Sequence, residues 1–261
     1  MKWILPILLT AFIAASAKAN PYDGCFIPGE TAEYRVSWMK IPIAWSKIST
    51  ETFSENGKKW IRLTMVSKNY KAYEHIYKVD DITEVVIDPE TALPCRVDLV
   101  LNEGRRHKSE LTYFDHENLT ATHINRLTGT TNHVTIAEDT RDVLTFLYAS
   151  RLRDPEELVQ HTHQLFVDGK IYDLDMKIGE EDSIRLPNLG KVDSFKIEPV
   201  ANFDGLFIRQ GKILFWVSKH NHRMVTCIEA KVSVGEIKVR LKDVSGIDDG
   251  FWSHKKDTEK K

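Results

Sequence analysis

Apolar and polar residues alternate with a period of two over most of this chain. From Thr31 to Trp38, Ala32, Tyr34, Val36 and Trp38 fall on one face and Glu33, Arg35 and Ser37 on the other. Successive strand residues point to opposite sides of a sheet, so this pattern predicts a half-buried strand. Similar runs occur at residues 45–53, 60–67, 75–79, 82–87, 95–101, 108–114, 119–124 and 132–136. They resume at 163–167, 170–178, 191–198, 212–218, 224–230 and 231–244. Turn residues separate many of them, among them Glu55-Asn56-Gly57, Asn102-Glu103-Gly104 and Asn188-Leu189-Gly190. Asp168-Gly169 between two apolar runs is the strongest hairpin signal.

Two segments depart from simple alternation. Val232 and Val234 set one phase, whereas Ile237, Val239 and Leu241 set the opposite one. A one-residue slip would turn core residues to solvent, so the pattern predicts a bulge or sharp bend at Gly235-Glu236. Between Asp139 and Arg153, Val143, Leu144, Phe146, Leu147, Tyr148 and Leu152 recur at helical spacing. Asp139 or Thr140 is placed to cap that helix, and Pro155 to stop it. It is the one substantial helix expected, with its apolar stripe on the sheet. Ile213 to Val217 is apolar in both phases, which predicts a strand covered on both faces.

The first nineteen residues follow neither period. Lys2 precedes an apolar run from Ile4 to Ala15, and Ala17-Lys18-Ala19 has the small-x-small form of a signal-peptidase site. We therefore expect residues 1–19 to be an export signal, residues 20–245 one β domain with its helix near 139–153, and residues 246–261 a charged flexible tail. The mature chain then has 242 residues, 261 less the 19 of the leader. No later segment is apolar enough to span a bilayer, so no stable membrane insertion is expected.

Composition excludes more than it assigns. With Lys2 and Lys18 removed, the formal charge moves from −2 to −4, and no basic stripe is present to follow a phosphate backbone, which argues against nucleic acid. At 42% hydrophobic residues the chain has material for a real core. Cys25, Cys95 and Cys227 in an oxidising compartment suggest one disulfide and one free thiol, with the pairing open. Cys25 is separated from Ala19 by Asn20, Pro21 and Asp23, among others, which disfavours lipid anchoring at that cysteine.

Catalytic signatures are missing from the sequence: there is no Gly-x-Ser-x-Gly, His-Glu-x-x-His, phosphate-binding glycine loop or Cys-x-x-Cys. The pairs His161/His163 and His220/His222 have strand spacing for one metal ion but lack an evident third ligand, so they read as solvated histidines. Residues 103–108 form a charged cluster that reads as a hairpin tip. No cofactor is expected. Exported aromatic-rich β proteins can turn ring faces to a ligand, and Trp38, Trp45, Trp60 and Trp216 are the candidates. Core packing is the competing role for such rings. Trp45, beyond Pro42 and out of phase, is the least readily buried. Tyr148 joins Trp38, Trp45 and Trp216 as a candidate ligand contact on the helix that would close one opening of a curled sheet.

Several fragments together resemble the exported bacterial family known as domain of unknown function 3108. They are Gly29-Glu30 with Tyr34-x-Val36-x-Trp38, Leu93-Pro94, Glu103-Gly104, Phe114-Asp115, and Asp142-x-Leu144 with Tyr148 and Arg151. Gly190 with Phe195 and Pro199, Gly211 with Trp216, and Gly235 extend the resemblance over nearly the whole mature chain. Thr145 stands where a serine is expected, and Met224-Val225 lacks an expected proline. The resemblance implies a periplasmic, mainly β protein: a single antiparallel sheet curled into an open or spiral barrel, like envelope lipid and lipoprotein carriers. It supplies no catalytic residues. The expected function is a non-enzymatic binding or chaperone-like module for a lipid, lipoprotein or other envelope component. The alternatives are a structural interaction protein of the envelope and a hydrolase of an envelope polymer acting through paired carboxylates or bound metal.

Overall fold

A computed structural model of the chain describes residue 20 and residues 22–201, 213–220, 222–232 and 235–252; the expected leader at 1–19 lies outside the described residues. Fourteen strands form one sheet. The first eight are β1 (Thr31–Trp38), β2 (Ile41–Glu55), β3 (Lys58–Asn69), β4 (Asp80–Asp88), β5 (Leu93–Glu103), β6 (Arg106–Asp115), β7 (Thr120–Asn125) and β8 (Thr130–Thr135). Two short helices follow, α1 (Val143–Ala149) and α2 (Pro155–Leu158). The remaining strands are β9 (His163–Val167), β10 (Lys170–Leu186), β11 (Gly190–Ala201), β12 (Ile213–Ser218), β13 (Val225–Val232) and β14 (Gly235–Ser245).

The strand order is β8-β7-β6-β5-β4-β3-β2-β1-β14-β13-β12-β11-β10-β9, two antiparallel meanders fused where β1 pairs with β14. No ladder joins β8 to β9, so the sheet is not a closed barrel. It rolls over itself instead. Phe166 of β9 meets Phe114 of β6 edge-on at 5.3 Å between centroids and His123 of β7 at 6.0 Å. Ala121 and Ile136 complete that cluster, and Lys108 Nζ lies 2.6 Å from Asp168 at the β9–β10 turn. The edge of β9 is covered by the segment entering α1: Arg141 N donates to Gln164 O, and Phe166 N donates to Arg141 O. An overlapped, covered edge presents no template for pairing with another chain.

The main core fills one end of the roll. Ala32 and Tyr34 of β1, Leu63 of β3, Val85 and Ile87 of β4 and Leu241 of β14 meet Cys25 and Phe26 of the N-terminal segment and Leu144, Tyr148 and Ala149 of α1. Ile247 and Trp252 also belong to this core, with Trp252 only 1% exposed. The expected tail therefore starts too early: the charge of residues 253–261 obscured two apolar anchors, whose burial in the core helps hold the short segment that carries them.

Four other expectations are corrected. The helix is shorter than residues 139–153, because Asp142 rather than Asp139 or Thr140 caps it, accepting from Leu144 N and Thr145 N; Pro155 then opens α2 instead of only ending a helix. At Gly235 the chain reverses between two strands, with Val232 paired to Gly235, so the phase flip marks a hairpin and not a bulge. Residues 75–79 form no strand; a loop with a 3₁₀ turn at Lys71–Tyr73 leaves Ile76 exposed. Cys25, Cys95 and Cys227 are all free thiols, on the N-terminal segment, β5 and β13. In β12, Trp216 and Ser218 are buried while Ile213, Leu214, Phe215 and Val217 are half-buried, so the both-faces expectation holds only in part.

Candidate functional site: the inner wall of the rolled sheet

Alternate residues of β1 run from the closed core to the opposite, open end, and their cross-strand partners build the wall. Tyr34 is in the core, and two residues on, Val36 pairs with Val239. The row continues without interruption from Val239 to Ile228, Phe215, Ile197 and Ile178, one residue from each of six adjacent strands, β1, β14, β13, β12, β11 and β10. Directly opposed residues share a face of the sheet, so these six form a continuous apolar band. All six are half-buried, unlike the side chains of the closed end. A second row nearer the open end contains Trp38, Ile237, Ala230 and Ile213. Trp38 is 38% exposed.

The facing half of the roll is mixed, with one polar row. Ser46, Ser67 and Asp81 are opposed across β2, β3 and β4, with the Ser67 hydroxyl donating to Ser46 Oγ over 2.9 Å. The next row is mixed: Ile48, Met65, Thr83, Leu99 and Glu110. Asp81 accepts from Asn102 N at 2.8 Å, yet burial pushes its carboxyl up, with Asp80 adding to the effect. Burial likewise raises the Glu103 carboxyl, with Asp81 contributing. One apolar wall facing a mixed wall with a polar row suits an amphipathic guest better than a purely hydrocarbon one.

The floor is a buried ionic cluster. Arg151 Nη1 donates to Glu30 Oε2 at 2.7 Å, with the two side chains 5% and 0% exposed. The Arg151 guanidinium carbon sits 3.6 Å from the Tyr148 ring centroid. Burial pushes the Tyr148 hydroxyl up to about 12 against the opposing pull of Arg151. Tyr148 also stacks on Phe26 at 5.7 Å. The cluster joins the N-terminal segment to the end of α1 and closes this end of the roll.

The five aromatic candidates are not gathered into one place. Trp38 stands on the inner face at the open end, and Tyr148 is in the floor. Trp45 and Trp216 belong to the other side of the sheet, in a row that runs Trp45, Arg35, Arg240, Cys227, Trp216, Lys196. Lys196 Nζ is 5.7 Å from the Trp216 ring centroid. Trp60, on β3, lies under Lys58 at 4.3 Å. Sequence reasoning missed Val239, Ile228, Phe215, Ile197 and Ile178. Each shows only its own strand's phase, and the register that aligns them links residues far apart in the chain.

Of the histidine pairs, His163 is buried and hydrogen-bonded through Nε2 to Leu158 O at 2.9 Å, while His220 stacks on Phe251. Among the described residues no group of three His, Cys, Asp or Glu side chains is placed to hold a metal ion. No helix among them is long and apolar enough to cross a membrane.

A known structure shares the architecture. The chain superposes with a TM-score of 0.53 on the crystal structure of a β-barrel-like protein of domain of unknown function DUF1849 from Brucella abortus, at 10% identity, covering 86% of this chain and all of that one. A crystal structure from Parabacteroides distasonis described as "a putative lipoprotein" aligns over 85% of this chain and 98% of its own with a TM-score of only 0.36 and 9% identity. No curated protein matches. The family model described as "Protein of unknown function (DUF3108)" matches residues 33–242, which contain both walls of the roll, and the chain belongs to that family.

Proposed function

We propose that this protein is a non-enzymatic binding module of the cell envelope, and that its rolled sheet takes up one amphipathic, lipid-like molecule. The carrying observation is the apolar band of Val36, Val239, Ile228, Phe215, Ile197 and Ile178, left half-buried by a chain that packs its other end tightly. An apolar row across six strands favours filling, either by the protein's own side chains or by a guest. Here α1 and α2 pack against β9 and β10, where Phe146 and Leu158 meet Leu165, Leu174 and Met176; of the band, Ile197 packs against this cluster and Val239 against the main core. The guest's apolar part lies along the band and its polar part faces Ser46, Ser67 and Asp81. The export signal expected from residues 1–19 would place the protein in the periplasm, where such cargo crosses between membranes.

The test is native mass spectrometry with lipid extraction on protein isolated from its own cells without detergent. A stoichiometric apolar adduct supports the reading, and Ile228→Trp, which fills the band, is expected to abolish it. A bare polypeptide mass, or an adduct indifferent to Ile228→Trp, overturns it and favours the alternative of a structural interaction protein.

A further inference from the structure

We propose that the ring of hairpin tips at the open end is a docking surface for an anionic lipid bilayer. Antiparallel alternation brings the β1–β2, β3–β4, β5–β6, β7–β8 and β9–β10 connections and the start of β14 to that end. Neighbouring tips touch: Met39 N donates to Glu236 O at 2.9 Å, and Gly104 N donates to Lys78 O at 2.7 Å.

Three of these connections, β1–β2, β3–β4 and β7–β8, carry exposed apolar side chains. Met39 is 57% exposed, Ile76 78% and Leu127 59%, and Ile41 and Tyr77 stand beside the first two. Single exposed apolar residues are ordinary, but several on tips of one end form a surface that water disfavours. Basic residues are interleaved with them, as in Trp38-Met39-Lys40-Ile41 and Ile76-Tyr77-Lys78. That mixture matches the boundary between headgroups and acyl chains, where apolar and aromatic side chains insert and cations meet anionic headgroups.

Charge complementarity selects the bilayer as occupant. Most acids on this rim are held by cations of the same chain: Glu103 by Arg106, Asp168 by Lys108 and Asp80 by Lys68. No ion pair engages Lys40, Lys71, Lys78 or Arg105 among the described residues, and Glu74 is the exposed acid left among them. The opposite end carries more acid, with Glu90, Asp115, Glu117, Glu138 and Asp139 exposed on its connections and Lys58 and Lys59 exposed beside the β2–β3 turn. A chain of net charge −2 is thus divided between a basic apolar end and a more acidic end, and an anionic surface orients it rim-first. The rim is distinct from the inner wall and stands whether or not the roll holds a guest.

The experiment is co-sedimentation of protein isolated from its native cells with vesicles of phosphatidylglycerol and phosphatidylcholine, against phosphatidylcholine alone. Binding to the anionic vesicles only, weakened by 0.5 M salt, is expected. The triple variant Lys40→Glu, Lys78→Glu, Arg105→Glu is expected to lose at least tenfold in affinity, and the pair Met39→Ser, Ile41→Ser to lose a comparable factor. Lys59→Glu at the closed end and Ile228→Trp in the wall are expected to leave binding unchanged, which separates this surface from the interior site. Absence of binding, equal binding to neutral vesicles, or indifference to the rim variants overturns the proposal. So does a vesicle-free dimer that Met39→Ser dissociates, since a second copy would then be the occupant.

Discussion

Glu30 and Arg151, 121 positions apart in the chain, form a 2.7 Å ion pair in the floor of the roll, with Glu30 fully buried. Removing one partner of such a pair strands a charge in low dielectric, at a cost of about 3–5 kcal/mol. Arg151→Met should lower the unfolding free energy measured in urea by that amount. Adding Glu30→Gln should restore much of it, because the stranded charge is then gone. Equal destabilisation by the single and double variants would show that packing over Tyr148, and not charge, is the dominant contribution.

Gly246 has φ of +76°, and a Cβ built there overlaps the Gly29 carbonyl. The two segments that frame the sheet, one entering β1 and one leaving β14, pass each other at this point. Gly246→Ala combines left-handed strain with a backbone clash, so a loss of about 2–4 kcal/mol is expected. Thermal unfolding measures it, and Gly57→Ala, with positive φ but open space around it, is the comparison that isolates the clash.

Thiol chemistry checks the cysteine assignment. Three thiols should react with Ellman's reagent in guanidinium. In the native protein at pH 8, Cys95 should react first, because Cys25 and Cys227 are buried. Burial, with Glu229 adding to it, pushes the Cys227 thiol up to about 11. A raised folded value means that the neutral thiol favours the fold fully below the unfolded value near 9.0, and that this contribution disappears as pH rises through about 11. Stability should therefore decline across that alkaline window, less so in Cys227→Ala. One thiol per denatured chain would instead indicate a disulfide.

The overlap of the sheet on itself depends on Phe166 against Phe114. Phe166→Ala should cost about 3–5 kcal/mol, in the range for truncating a buried phenylalanine. Hydrogen exchange would locate the loss. Amides of β7 to β9 should lose protection first, while β1, β2 and β14 keep theirs until global unfolding.

Much of the fold was legible along the chain because period two and turn chemistry are local. Thr31 to Trp38 is a strand with the predicted face inward, and Asp168-Gly169 and Asn56-Gly57 are hairpin turns with both residues at positive φ. The misreadings have local causes as well. The run at 75–79 has strand-like composition but no partner ladder, the cap falls on Asp142 although Asp139 and Thr140 are the two caps read from the sequence, and Ile247 and Trp252 were outnumbered by the charges that follow. The candidate site was legible only in its parts. Trp38 and Tyr148 were singled out for their chemistry, yet they lie at opposite ends of the interior, and Trp45 and Trp216 face the other way.

Sequence alone determined β content, the approximate strand positions, the family and the lack of a catalytic signature, since each follows from side-chain periodicity or from short motifs. Tertiary structure decided which strands are neighbours across β1 and β14, and that the free ends overlap without closing. It also brought six apolar residues from six strands into one band, and put basic tips at one end and acidic turns at the other. These depend on register and on rolling of the sheet, which are set by the summed burial of residues distant in the chain and leave no local trace in any single strand.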